Sequence, residues 1–244
     1  MEEKLVIGLD KAGPDETVMI CFPYAGGGAS AYYRWDKSLE QVCRICPVQL
    51  PGREERMCEP AYARVEEAAD HIAAILGRYS NPMVLFGHSM GTKLAYEVER
   101  RLEDRGKPAK LMIMSGCLPP HRPDLNPLAD LPDDEFAEAL AAFHGISEGI
   151  LNNKELLKFF MPTLRADFTM SESYRCNDRR QLKAVLRVMG GKEDTEAPEE
   201  GLKEWKEYSS QEFAYQMFEG SHFYIKEREP EVLCKIEEWI KKYA

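Results

Sequence analysis

Short apolar runs recur along the chain and alternate with longer stretches of helical period. Val18-Met19-Ile20-Cys21-Phe22, Met83-Val84-Leu85-Phe86 and Leu111-Met112-Ile113-Met114 carry no polar residue, and Ala184-Val185-Leu186-Arg187-Val188-Met189 carries one. A strand that is apolar at every position is covered on both faces, which predicts a parallel sheet under two helical layers. Ile45–Leu50 and Phe213–Phe218 read as further strands. Helices are predicted over Ala31–Val42, Ala61–Tyr79, Met90–Asp104 and Pro230–Tyr243. The second presents Val65, Ala68, Ala69, Ile72, Ala73 and Leu76 on one face, and the third presents Leu94, Ala95, Val98 and Leu102. Gly106, with Pro108 beyond it, stops the third.

The alternation breaks between Gly116 and Lys183, where no strand is predicted and helical patterns appear near Asp133–Phe143 and Lys154–Met170. This is longer than a normal crossover connection. It reads as a helical insertion, about residues 116–183, over one end of the sheet. The expectation is one α/β domain spanning residues 1–244, with a mostly parallel central sheet flanked by helices.

Composition narrows the class. The chain has 244 residues, 32 Lys and Arg against 42 Asp and Glu, and a net charge of −10. That balance argues against binding nucleic acid. The start, Met1-Glu2-Glu3-Lys4, has no signal-peptide form, and no run approaches the roughly 18 apolar residues of a membrane span. A cytoplasmic protein that does not engage a membrane is expected. Seven cysteines, an odd number, suit reduced thiols. The lone CxxC, Cys43-Arg44-Ile45-Cys46, lies in a predicted strand, where residues three apart face opposite ways and cannot share a metal.

Gly87-His88-Ser89-Met90-Gly91 is a G-x-S-x-G motif. Alone it is weak, but here it follows an apolar strand and opens a helix, the setting of a nucleophile elbow. The helix N-terminus behind Ser89 favours developing negative charge. A serine nucleophile needs a base. Of five histidines, His88 is adjacent to Ser89, His71 is mid-helix off the apolar face, and His121 and His144 fall in the insertion. His222, in Gly220-Ser221-His222-Phe223 after the last strand, is the candidate base. Asp194, in Gly190-Gly191-Lys192-Glu193-Asp194 after the Ala184–Met189 strand, is the candidate acid and completes the order Ser, Asp, His. Glu193 stays open as an alternative, and Asp167 lies in the insertion. Two backbone amides should receive the oxyanion: Met90, after the nucleophile, and Ala25, in the loop Pro23-Tyr24-Ala25-Gly26-Gly27-Gly28. That loop lacks the lysine of a phosphate-binding P-loop.

Phe22-Pro23-Tyr24-Ala25-Gly26-Gly27, Leu50-Pro51-Gly52-Arg53, the elbow and Gly220-Ser221-His222-Phe223 resemble the stand-alone type II thioesterases of nonribosomal peptide and polyketide synthesis, of the α/β-hydrolase fold. Leu131-Pro132-Asp133-Asp134-Glu135-Phe136 and Leu164-Arg165-Ala166-Asp167-Phe168 are similar to that family's lid. The resemblance runs from about Met19 to Trp239. It implies hydrolysis of misloaded acyl groups from the phosphopantetheine arm of a carrier protein, with Ser89, Asp194 and His222 as triad, Ala25 and Met90 as oxyanion hole, and no metal or cofactor. Two departures bear on substrate preference. Ser221 stands where the family often has glycine, and Thr92-Lys93 replaces small residues after the elbow.

No fused carrier domain is expected, and a phosphopantetheinylated acyl or peptidyl carrier protein is expected as a partner in trans, with the enzyme a monomer. The alternatives are a carboxylesterase on small free esters, a general acyl-CoA thioesterase, and a non-catalytic binder of a carrier arm or lipid. Within the insertion, Phe136, Leu140 and Phe143, and Leu156, Leu157, Phe160 and Leu164, repeat at helical spacing. Phe159, Met161, Phe168 and Met170 exceed one stripe, and some are expected to line an acyl pocket. Arg165, Arg175, Arg179, Arg180 and Lys183, and secondly Arg53 and Arg56, are the candidate basic contacts to an acidic carrier.

Overall fold

A computed structural model describes residues 5–142, 149 and 153–244. Phe143 and His144 lie outside the described residues. Six strands form one sheet: β1 (Val18–Phe22), β2 (Arg44–Pro47), β3 (Met83–His88), β4 (Leu111–Ser115), β5 (Val185–Gly191) and β6 (Phe213–Phe218). The order is β2-β1-β3-β4-β5-β6, and every adjacent pair is parallel. β1, β3, β4 and β5 are buried at each position, whereas edge strand β6 is mostly half-exposed.

Period-2 alternation splits the core in two. Val18, Ile20 and Phe22 of β1 face one layer, and Met19 and Cys21 face the other. The first layer holds α2 (Val65–Leu76) and α3 (Met90–Asp104) through the apolar faces read from the sequence. The second holds α1 (Trp35–Leu39) and the C-terminal helix, which contributes Val232, Ile236, Trp239 and Ile240. Cys43 sits in the second layer and Cys46 in the first, so the CxxC thiols point to opposite sides of the sheet. Burial pushes both thiols up to about 12.

Three predicted elements are shorter than their patterns. The helix expected over Ala61–Tyr79 runs only from Val65 to Leu76. Over Ala31–Val42 the chain makes a 3-10 turn at Ala29–Tyr32 and then the brief α1. Tyr32 and Trp35 both dock edge-on against Phe86, and the Tyr32 hydroxyl donates to the Phe22 carbonyl, so aromatic anchoring overrides helical continuity. The second strand ends at Pro47; the Val48 amide still donates to the Cys21 carbonyl of β1, and Val48 forms an isolated antiparallel bridge with Val6.

Between β4 and β5 lie α4 (Asp133–Ala142) and α5 (Lys154–Ser173). Asn153 caps α5 by accepting from the amides of Glu155 and Leu156. Phe136, Leu140 and Leu164 are buried together with Leu128 in a small separate core. Past β5 come α6 (Glu199–Lys203), α7 (Tyr224–Glu227) and α8 (Glu229–Tyr243). Among the described residues no helix is long and apolar enough to cross a membrane.

Candidate active site

Ser89 stands between β3 and α3 with φ 53° and ψ −122°, a strained backbone for a non-glycine residue. Close packing enforces the turn. A Cβ on Gly87 would fall 2.3 Å from the Gly91 carbonyl oxygen, and one on Gly91 would fall 2.2 Å from that of Phe22. Hydrogen bonds hold it further. The Ser89 amide donates to the Ser115 carbonyl at 2.8 Å, and the Thr92 hydroxyl donates to the Gly87 carbonyl at 2.7 Å. Thr92, a departure from small residues at this point, therefore pins the elbow from inside.

His222 and Asp194 come from the loops after β6 and β5. The Nδ1–H of His222 donates to Asp194 Oδ2 at 2.8 Å, and both side chains are buried. Asp194 Oδ1 accepts the amides of Glu196 at 2.9 Å and Ala197 at 3.2 Å. Glu193 is exposed, whereas the carboxylate hydrogen-bonded to His222 Nδ1 is that of buried Asp194. His88 does not reach toward Ser89. It is fully buried, bonded through Nδ1 to the Ser115 hydroxyl at 2.9 Å. Burial, and then the charges of His222 and Lys226, hold its imidazole well below its usual range, so it stays neutral.

Ser89, His222, Ala25 and Met90 line one small cleft of about 50 Å³, together with Lys93, Asp124, Phe168, Glu172 and Glu196. The Ala25 amide has no acceptor among the described residues. The Met90 amide belongs to the first turn of α3, whose amides have no intrahelical acceptor. Both are available to a bound oxyanion.

Of the apolar residues singled out in the insertion, Phe168 lines the cleft. Met170 is buried in the main core, Met161 packs on the small core, and Phe159 is 55% exposed. Leu156 is exposed too. Lys93 is buried, with Nζ donating to both oxygens of Asp124 at 2.7 and 2.8 Å and to the Ser171 carbonyl at 3.0 Å. The cleft is therefore charged as well as apolar. Its Glu172 and Glu196 carboxyls are raised above the usual range, in each case first by burial.

The expected basic contacts need correction. Arg53 and Arg56 are buried and cannot be offered to a partner. Arg56 pairs with Glu59 and donates to the Gln49 carbonyl. Arg53 forms a two-pronged pair with Asp167 at 2.6 and 2.7 Å, and Asp167 also accepts the Gly26 amide at 2.7 Å. Arg165 is held by Asp133 and by the carbonyls of Ala129 and Leu131, and Arg180 by Glu103 and Asp104. The Arg53–Asp167 pair was missed at the sequence level. Both residues stood in segments already singled out, but opposite charges 114 positions apart give no local signal.

A thioesterase domain family model matches residues 17–240. The linear gramicidin dehydrogenase LgrE of Brevibacillus parabrevis is 34% identical over 93% of this chain and 89% of its own length. The thioesterase PikA5 of Streptomyces venezuelae is 31% identical over 88% of this chain and 77% of its own. The solved type II thioesterase BorB from the borrelidin biosynthetic cluster superposes with a TM-score of 0.85 and 30% identity, covering 94% of each chain.

Proposed function

The chain belongs to the thioesterase domain family, and we propose that it is of the stand-alone type II kind, removing misloaded or aberrant acyl groups from the phosphopantetheine arm of carrier proteins in nonribosomal peptide or polyketide synthesis. In this reading it acts in the cytoplasm as a monomer, meets its carrier in trans, and uses no metal or cofactor. The observation that carries the reading is the convergence of three sequence-distant segments on one cleft, the loop of Ala25, the elbow of Ser89 and Met90, and the loop of His222, with Asp194 hydrogen-bonded behind His222.

The chemistry follows from that arrangement. Asp194 engages Nδ1 of His222, which leaves Nε2 as the basic nitrogen. Nε2 takes the Ser89 proton as Oγ attacks the thioester carbonyl, and the amides of Ala25 and Met90 receive the oxyanion. The pantetheine sulfur leaves with the proton from His222. Water then attacks the acyl-serine with His222 again as base, and the acid is released. Cys117, also in the cleft, does not compete, since burial pushes its thiol up to about 12.

The test is labelling with a fluorophosphonate probe alongside turnover of an acyl thioester and of a nitrophenyl ester bearing the same acyl group. The reading expects covalent mass on the peptide holding Ser89, its absence in Ser89→Ala, and faster turnover of the thioester. Preference for the simple ester would make the protein a carboxylesterase. No labelling and no turnover would make it a binding protein.

A further inference from the structure

We infer that Asp167, on α5, is a positioning residue for the reaction: it fixes the oxyanion loop, so that the Ala25 amide is aimed only while α5 is docked. The inference rests on the reading of Ser89 and Ala25 given above. The loop from Pro23 to Gly28 has no regular structure of its own. Inside it one turn closes, Gly27 amide to Tyr24 carbonyl at 2.9 Å, and Gly26 takes φ +75°. Everything else that holds it comes from outside. Asp167 accepts the Gly26 amide at 2.7 Å, and Arg53, gripped by the same carboxylate, donates to the Gly27 carbonyl at 3.0 Å. A Cβ on Gly26 would fall 2.5 Å from a methyl of Leu164, so α5 also fills the space that the glycine leaves. Fixing the Gly26 N–H fixes the peptide plane that follows Ala25. The Ala25 N–H, with no acceptor of its own, lies in the preceding peptide plane, whose Tyr24 carbonyl accepts the Gly27 amide; the two planes meet at the Ala25 Cα, so its direction is set by that turn together with the plane that Asp167 fixes.

The pair is costly as a device for stability alone. The side chains of Arg53 and Asp167 are only 6% and 1% exposed, and replacing a buried ion pair by apolar groups of similar size is often neutral or stabilising. What apolar groups cannot supply is an acceptor that orients the Gly26 amide. Removing one oxyanion donor outright costs about 10²–10³ in kcat, and displacing one by about 1 Å costs up to roughly 10².

Steady-state kinetics on an acyl thioester would be measured for Asp167→Asn, for the double variant Arg53→Met/Asp167→Leu, and for Thr163→Val. Affinities for a trifluoromethyl ketone analogue and for the product acid would be measured beside them. Thr163 also joins α5 to the body, donating to the Gly52 carbonyl at 2.7 Å, but it does not touch the oxyanion loop. The double variant, which removes the acceptor, should lose about tenfold to a hundredfold in kcat with KM within about twofold, and Asp167→Asn, whose amide oxygen can still accept the Gly26 N–H, should lose less. The double variant should lose the same factor in affinity for the ketone, whose adduct carries the oxyanion, and none for the acid. Thr163→Val should stay near wild type. Unchanged kcat in the folded double variant, equal losses for ketone and acid, or an equal loss in Thr163→Val would each overturn the inference. Ser89→Ala separates the two levels. If it still turns over, the serine reading fails. If it is inactive while the Asp167 variants are unimpaired, only the positioning role falls.

Discussion

Asp194 commits both carboxylate oxygens, one to His222 Nδ1 at 2.8 Å and the other to the amides of Glu196 and Ala197 at 2.9 and 3.2 Å. The loop holds the acid, and the acid holds the imidazole in one tautomer. Asp194→Asn keeps the shape but lets its amide donate to His222, which favours the wrong tautomer. Turnover should fall by about 10³–10⁴. Glu193→Gln, at an exposed neighbour, should stay within about twofold of wild type. Steady-state rates on one acyl thioester decide, and the reverse ranking would remove Asp194 from the mechanism.

The elbow glycines make a stability prediction. The Cβ of Gly91→Ala would meet the Phe22 carbonyl at 2.2 Å, at the end of a central strand that cannot retreat. The variant should lose about 10 °C or more in Tm, or fail to fold. Gly106→Ala is the control. Its φ is +72°, but a Cβ there meets nothing within 4 Å, so only the backbone penalty of about 1 kcal/mol applies, worth about 2–4 °C. Similar losses at the two positions in thermal melts would contradict the packing argument.

A pH signature belongs to Glu99 on α3. Burial first, opposed by the Ala109 amide and reinforced by the charge of Glu103, pushes its carboxyl up to about 8 from an ordinary 4.5. Between those values the folded chain keeps a proton that the unfolded chain gives up. Stability therefore falls as pH rises through that window and levels off above about 8. Glu99→Gln stays neutral and can still accept from Ala109, which now donates to both Glu99 oxygens at 3.2 and 3.1 Å. Its Tm should match wild type near pH 4.5 and exceed it by several degrees at pH 8. Parallel curves across the range would refute a buried, protonated Glu99.

Helix α5 should exchange unevenly. Its N-terminal half shows Leu156 and Phe159 to solvent and contains Pro162, which removes one helical hydrogen bond. Its C-terminal half is buried at Leu164, Asp167, Met170 and Ser171. Hydrogen exchange should find the amides before Pro162 unprotected well before those after Leu164. Uniform protection along α5 would show that the buried anchors do not set its local stability.

Much of this was legible in the sequence, because local pattern carries it. Unbroken apolar strands announced a parallel sheet, and all six strands are present, although β2 stops at Pro47, three residues before the end of its pattern. Gly106 stopped α3 within two residues of its observed end at Asp104. Ser89, His222, Ala25 and Met90 were nameable from motif and chain order, and they share one cleft. What was not legible depends on contacts between distant segments. The break of the first predicted helix follows from Tyr32 and Trp35 finding Phe86. Arg53 and Arg56 look like surface charges until the fold buries them, and Lys93 looks misplaced until Asp124 arrives beside it.

The most direct test of the central claim is a comparison of kcat/KM for one short acyl group presented on a phosphopantetheinylated carrier protein and on coenzyme A, with hydrolysis read as loss of acyl mass. A carrier-editing enzyme recognises the protein that bears the arm, and both chains of such a pair can be acidic, as this one is at −10, so contact must come from local surface complementarity. The account predicts a higher kcat/KM on the carrier, and no loss of acyl mass with Ser89→Ala. Equal or faster hydrolysis of the coenzyme A thioester would contradict it and make the protein a general acyl thioesterase.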